Sequence, residues 1–157
     1  MSERNRLADV VLDEASLAPA SPNAEHERRI ALFDLKESNS FAVAGEDRGP
    51  YLLMLGQSDG RLAFDVSDEA GERVLLHHLP MQVMRKLVKD YLMICDSYNN
   101  AIRTAAPSQI EAIDMGRRGL HNEAGEALME ALAGKIEIDL ETGRRLFTLV
   151  CALHVRA

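Results

Sequence analysis

The residues best suited to chemistry lie together in one stretch, Gly116-Arg-Arg-Gly-Leu-His-Asn-Glu123. Read as a helix, it places Arg118 four residues after Asp114 and three before His121, so Asp114, Arg118 and His121 share one ridge. An arginine fork clamps a carboxylate or phosphate through paired hydrogen bonds, and an imidazole beside it gives or takes a proton near neutral pH. Arg117 falls on the apolar stripe of the same helix, between Ile113 and Leu120, where its guanidinium must leave the stripe or find a buried partner. Arg144 and Arg145 stand near the start of the last helical stretch, where positive charge opposes the helix dipole unless an anion or a carboxylate offsets it. Arg117, Arg118, His121, Asp114, Arg144 and Arg145 are therefore the candidate site, for a small phosphorylated or carboxylated ligand. The competing structural reading pairs Asp114 with Arg118 on a helix surface and sets Asp139 and Glu141 against Arg144 and Arg145.

Other chemistry is poorly represented. The five histidines, His26, His77, His78, His121 and His154, show no spacing of two His four apart around a Glu, and His77 and His78, adjacent on a strand, face opposite sides. No metal site is expected. Cys95 and Cys151 sit on apolar stripes, where a thiol behaves as a small hydrophobe; either would be a nucleophile beside His78 or His154 only if exposed near positive charge. No nucleophile elbow, phosphate loop or dinucleotide glycine fingerprint is present, so no cofactor is expected. Arg85, Lys86 and Lys89, with Asp90 beside them, read as a solvated helix face. Met81, Met84, Met93, Met115 and Met129 read as gap-filling core or interface residues.

Composition narrows the class further. The 157 residues carry 18 Lys and Arg against 25 Asp and Glu, a net charge of -7, which repels a phosphate backbone and excludes general nucleic-acid binding. The N-terminus is too charged for a secretory h-region, and the longest apolar run, Leu146 to Val155, is half the roughly 20 residues a membrane span needs. Two isolated thiols add no disulfide framework. A cytoplasmic chain without a membrane partner is expected.

These residues must be positioned by elements that the periodicity marks out. Arg6 to Leu12 suits a short strand, Ala15 to Asn23 a loop, and a helix capped by Ser21 or Asn23 should run to about Glu37 on an apolar stripe of Ile30, Leu32, Phe33 and Leu35. Phe41 to Val43 is a short strand and Gly45 to Pro50 a turn-rich link. Tyr51 to Gly56, Leu62 to Val66 and Val74 to Leu79 then form a meander, the first two joined by a tight Asp59-Gly60 hairpin. Beyond Pro80 the period is helical: Met81, Met84, Val88, Tyr91, Cys95, Tyr98 and Ile102 alternate spacings of three and four. Pro107 ends that helix, and Ser108 with Glu111 reads as a capping box for the next, which carries the arginine stretch as far as Gly134. Gly116, Gly119 and Gly125 inside it each cost about 0.8–1 kcal/mol against Ala, so either another backbone packs against them or the helix breaks, with Asn122 capping its second half. The last helix starts near Asp139, with Lys135 to Leu140 as an alternative strand. The order predicts an α+β fold in a single domain, 1–157, with residues 1–5 a flexible N-terminus: an antiparallel sheet of three to five strands covered by an N-terminal helix and three C-terminal helices.

Four segments, Glu25-His-Glu-Arg with Ile30-Ala-Leu-Phe-Asp-Leu, Val88 to Tyr98, Ile113 to Glu123 and Arg144 to Cys151, resemble a family of small alphaproteobacterial proteins classed as uncharacterised. The resemblance runs from about Leu7 to His154. It implies a complete single-domain protein and brings no catalytic residues with it. Two functions of different class follow from the residues. One is a non-enzymatic interaction or regulatory protein, with a protein partner or a homodimer using the Met81 to Ile102 seam. The other is an enzyme or sensor for a small anionic ligand at the Arg/His cluster.

Overall fold

The structure is a computed structural model that describes residues 3–17 and 21–154, and for residue 154 the backbone alone. Met1 and Ser2 of the expected N-terminal segment, part of the Ala15 to Asn23 loop and the side chain of His154 thus lie outside the described residues.

Alternating apolar residues build the centre of the molecule. β3 (Tyr51–Ser58), β4 (Arg61–Asp68) and β5 (Arg73–Pro80) form the expected meander. The first turn is set by Asp59 and Gly60, both at positive φ, 52° and 73°, as a two-residue hairpin requires. Leu53, Leu55, Leu62, Phe64 and Val66 point to one face and are buried. On the opposite face Val11, Met54, Asp65 and Leu76 lie in register across all four strands, and the three apolar members are 40–46% exposed. Helices therefore cover one face only.

The sheet departs from the expected pattern at its edge. β1 (Leu7–Leu12) pairs with β3 in parallel, giving the order β1-β3-β4-β5, a mixed sheet in place of a wholly antiparallel one. The parallel pairing follows from α1 (Pro22–Glu37), which packs against β1 and returns the chain to its starting end, as a crossover must. β2 (Phe41–Val43) does not join this sheet. It pairs antiparallel with β6 (Ile136–Ile138), so the alternation of Ile136 and Ile138 does mark a strand.

α2 (Gln82–Thr104) and α3 (Pro107–Leu132) form a long hairpin, and α4 (Leu140–His154) packs across α1 and α3. Phe147, Leu149 and Val150 of α4 are fully buried in the same core as the inner face of the sheet. α3 is continuous through Gly116 and Gly119, so no break occurs at Asn122. Its start is not a capping box: Ala106 occupies the cap position with no side-chain bond, and Pro107, whose missing N–H needs no partner there, opens the helix. Ser21 caps α1, its Oγ accepting from the Ala24 N–H at 3.1 Å. Asp139 caps α4, accepting from the Thr142 N–H at 2.9 Å.

Two apolar stripes are used differently from expectation. In α1 the buried residues are Ala31 and Leu35, while Ile30 and Phe33 are 46% and 64% exposed, so the face turned to the core is narrower than the expected stripe. The α2 seam is buried within the chain from Met81 to Cys95, Tyr98 is half-buried and Ile102 is 51% exposed. Of the methionines expected in a core or interface, Met81 and Met84 are buried, whereas Met93 and Met115 stand 59% and 62% exposed.

Candidate functional site

The glycines of α3 decide where its side chains go. Helices α3 and α4 cross at Gly125 and Gly143: a Cβ on Gly143 would lie 2.7 Å from the Gly125 carbonyl oxygen, and one on Gly125 would lie 2.6 Å from Cγ of Arg144. Backbones this close admit no side chain at either position, which offsets the helix penalty of Gly125. Gly116 abuts Ile94 of α2, where a Cβ would come to 3.1 Å. At Gly119 an added Cβ meets nothing within 4 Å, and no packing accounts for it.

Tight crossing brings His121 against the first turns of α4. Its Nε2 lies 2.8 Å from the Arg144 carbonyl oxygen and 3.0 Å from Thr148 Oγ1. A carbonyl only accepts, so Nε2 carries the hydrogen and Nδ1 the lone pair. The ring stacks on Tyr91, with centroids 5.0 Å apart and planes 21° off parallel, and Phe147 packs against both rings, edge-on to Tyr91 at 5.7 Å and tilted to His121 at 6.2 Å. Burial, then the Arg144 charge, push the His121 pKa down to about 4, so the imidazole is neutral at physiological pH.

Two helix faces flank this histidine. Glu27, Ile30, Ala31 and Asp34 follow the spacing 0, 3, 4, 7 along α1; Glu141, Arg144, Arg145 and Thr148 repeat it along α4. Together with Tyr91 and His121 they line an open cleft of about 250 Å³. The helices run antiparallel, since Thr142 Oγ1 accepts from the Ser40 N–H at 2.9 Å and Arg145 Nη1 donates to the Ser38 carbonyl at 3.1 Å. Asp34 therefore lies at the arginine end of the cleft, and Glu27 two turns further along.

Charge in the cleft is unevenly satisfied. Glu141 holds both arginines, at 2.6 Å to Arg144 and 3.5 Å to Arg145. Nε of Arg144 is nevertheless buried without a hydrogen-bond partner among the described residues, one of two such atoms, the other being Nη1 of Arg28. Glu27 and Asp34 make no hydrogen bond or ion pair among the described residues. Burial raises the pKa of Glu27 against the opposing pull of the Arg117 charge.

The six residues singled out from sequence divide into two groups. His121, Arg144 and Arg145 converge on the cleft. Asp114, Arg117 and Arg118 form a separate cluster towards the tip of the helical hairpin. There Asp114 Oδ1 accepts from Arg117 Nη2 at 2.7 Å and Nε at 3.2 Å, and its Oδ2 pairs with Arg118 at 3.0 Å. The Arg117 guanidinium also lies over the Tyr98 ring, 4.2 Å from its centroid, a cation–π contact that resolves a cation placed on an apolar stripe. The hydrogen bond from Arg117 holds the Asp114 carboxyl below its usual range. Of the expected ridge, Asp114 and Arg118 pair as the structural reading had it, while His121 turns away to α4. Sequence reasoning missed Glu27, Asp34, Tyr91, Glu141 and Thr148 as cleft residues; the 0, 3, 4, 7 spacing on two helices was the available signal.

The remaining candidates are quiet. Cys95 and Cys151 are free and buried; burial pushes the Cys95 thiol up to about 11 and raises that of Cys151 as well, so neither is a thiolate. Lys86 pairs with Asp90 at 2.6 Å on an exposed helix face. Among the described residues no three His, Cys, Asp or Glu side chains are grouped to hold a metal, and no helix is long and apolar enough to cross a membrane.

Comparison with known proteins adds kinship. No solved structure matches the chain. A UPF0262 protein of Methylobacterium radiotolerans is 58% identical over 150 residues, 96% of this chain and 93% of the relative. Another, from Hyphomonas neptunium, is 57% identical over 150 residues, again 96% and 93%. A third, from Rhizobium meliloti, is 54% identical over 156 residues, 99% of this chain and 98% of the relative. The model of the Uncharacterised protein family (UPF0262) matches residues 4–156, and the resemblance of the four segments is thereby confirmed: the chain belongs to this alphaproteobacterial family.

Proposed function

We propose that this chain is a non-enzymatic cytoplasmic regulatory protein that binds a small polar ligand in the cleft between α1 and α4. The observation that carries the reading is the convergence of Arg144, Arg145 and His121 on a solvent-open cleft in which the two guanidinium groups share the single carboxylate of Glu141. A ligand oxygen entering the cleft can complete the bonding of guanidinium groups that one carboxylate only partly satisfies. His121 supports a binding role over a catalytic one: a proton acceptor works best with a pKa near the working pH, and at about 4 this imidazole is too weak a base. The raised thiols and the raised Tyr91 phenol leave no poised nucleophile beside it. Free, buried thiols support the cytoplasmic placement.

Thermal unfolding in the presence of phosphate, dicarboxylates and amino acids tests the reading. Ligand at 100 times its dissociation constant adds about 2.7 kcal/mol, about 5–10 °C for a chain of this size. The rise should vanish in Arg144→Gln and persist in Arg118→Gln, whose side chain lies outside the cleft. A rise that survives Arg144→Gln, or no rise with any of these compounds, overturns the proposal.

A further inference from the structure

The charges lining the cleft narrow what it can hold. α4 presents Arg144 and Arg145, which share the single carboxylate Glu141. α1 presents Glu27 and Asp34, both partly buried and without an ion pair among the described residues. With His121 neutral, the lining carries three negative and two positive charges, and the Arg117 charge acts on Glu27 from outside it. A simple anion entering to satisfy Arg144 would bring a further negative charge beside Glu27 and Asp34. A simple cation would satisfy those carboxylates and face two guanidinium groups. Either ligand leaves one wall worse off, since like charges held in a partly desolvated cleft repel.

We infer that the cleft takes a small zwitterion, an amino-acid-like molecule whose carboxylate meets Arg144 and Arg145 on α4 and whose ammonium meets Glu27 on α1. The inference rests on the cleft being a ligand site, as proposed above. Each ligand charge then finds its complement: the carboxylate meets the guanidinium groups of Arg144 and Arg145, and Glu27 gains a direct ion pair where it now feels the Arg117 charge from outside the cleft. Size agrees: about 250 Å³ lies below the roughly 300–1,000 Å³ of pockets for drug-sized ligands, and suits a molecule of few heavy atoms. The position of Glu27 favours a ligand with separated charges. It lies seven residues, about 10 Å, from Asp34, which marks the arginine end, so the ammonium sits on a short chain away from the carboxylate.

Isothermal titration calorimetry of the full chain with four probes decides the matter: 5-aminopentanoate, its anionic analogue pentanoate, its cationic analogue pentylamine, and inorganic phosphate. The zwitterion should bind at least tenfold more tightly than either single-charge analogue, and Glu27→Gln and Arg145→Gln should each weaken it about tenfold or more. Glu27→Gln keeps the side chain's size, so its folding is checked by an unchanged thermal midpoint without ligand. Binding of pentanoate or phosphate that equals or exceeds that of the zwitterion, unchanged or tightened by Glu27→Gln, overturns the zwitterion while leaving a ligand cleft in place. Failure of all four probes overturns the zwitterion, and extended to the wider panel above it removes the cleft itself.

Discussion

His121 is the residue on which the two halves of the site turn, and its protonation is coupled to folding. Its pKa is pushed down to about 4 in the fold from an ordinary 6.5, so the unfolded chain binds the proton first as pH falls. The neutral-histidine contribution is therefore fully present above pH 6.5 and is lost on the way to pH 4. Allowing for partial exposure, about 1–2 kcal/mol should disappear between pH 7 and 5. Urea unfolding of the wild type and His121→Gln across that range should show the wild type losing more stability by this amount; parallel curves would contradict the burial and hydrogen bonding assigned to the ring. Acidification weakens the Arg117 cluster as well, but at lower pH, because the group that titrates there is a carboxylate. Asp114 is held low by Arg117 and Arg118, and these contacts sit near the hairpin surface, so Arg118→Ala should change stability by no more than about 1 kcal/mol. A single residue type on a single stripe could not reveal which arginine would find a ring and which a cleft: Arg117 and Arg144 read alike until Tyr98 and Glu141 are placed beside them.

Elements fix those residues through contacts that local spacing does not encode. Gly125 and Gly119 lie on the same helix with the same intrinsic penalty, yet one meets the backbone of α4 and the other meets nothing. Gly125→Ala should destabilise the protein by roughly 1–3 kcal/mol and displace Arg144. Gly119→Ala should stabilise it by about 0.8–1 kcal/mol, which is about 2–4 °C in midpoint. Two thermal melts compare them directly, and shifts of the same sign would contradict the α3–α4 crossing. The helix and meander boundaries were legible because Ser21, Asp59-Gly60, Pro107 and Asp139 act locally. Placement of β1 was not, since its parallel pairing depends on where α1 returns the chain, and the capping box at Ser108 lost to Pro107 by position alone. Ile30 and Phe33 looked like core for a similar reason: the stripe that is buried is chosen by the elements packed on the helix, which here cover Ala31 and Leu35.

At the scale of the whole molecule, a net charge of -7 surrounds a cleft that still retains two arginines. The order of elements announced an α+β domain with helices on a sheet, and that much stands. The cleft itself was only half visible, because its two walls come from opposite ends of the chain and its floor from α2 and α3. Family membership extends the account to a group of proteins and leaves the ligand to chemistry. The central claim, that a small polar molecule seats between α1 and α4, is tested most directly by amide and histidine-ring chemical shifts during titration with 5-aminopentanoate. The account predicts changes confined to Glu27–Asp34, Glu141–Thr148, Tyr91 and the His121 ring, with Asp114 and Arg118 unmoved. Saturable shifts centred on the hairpin tip or the open face of the sheet, with the His121 ring silent, would contradict it.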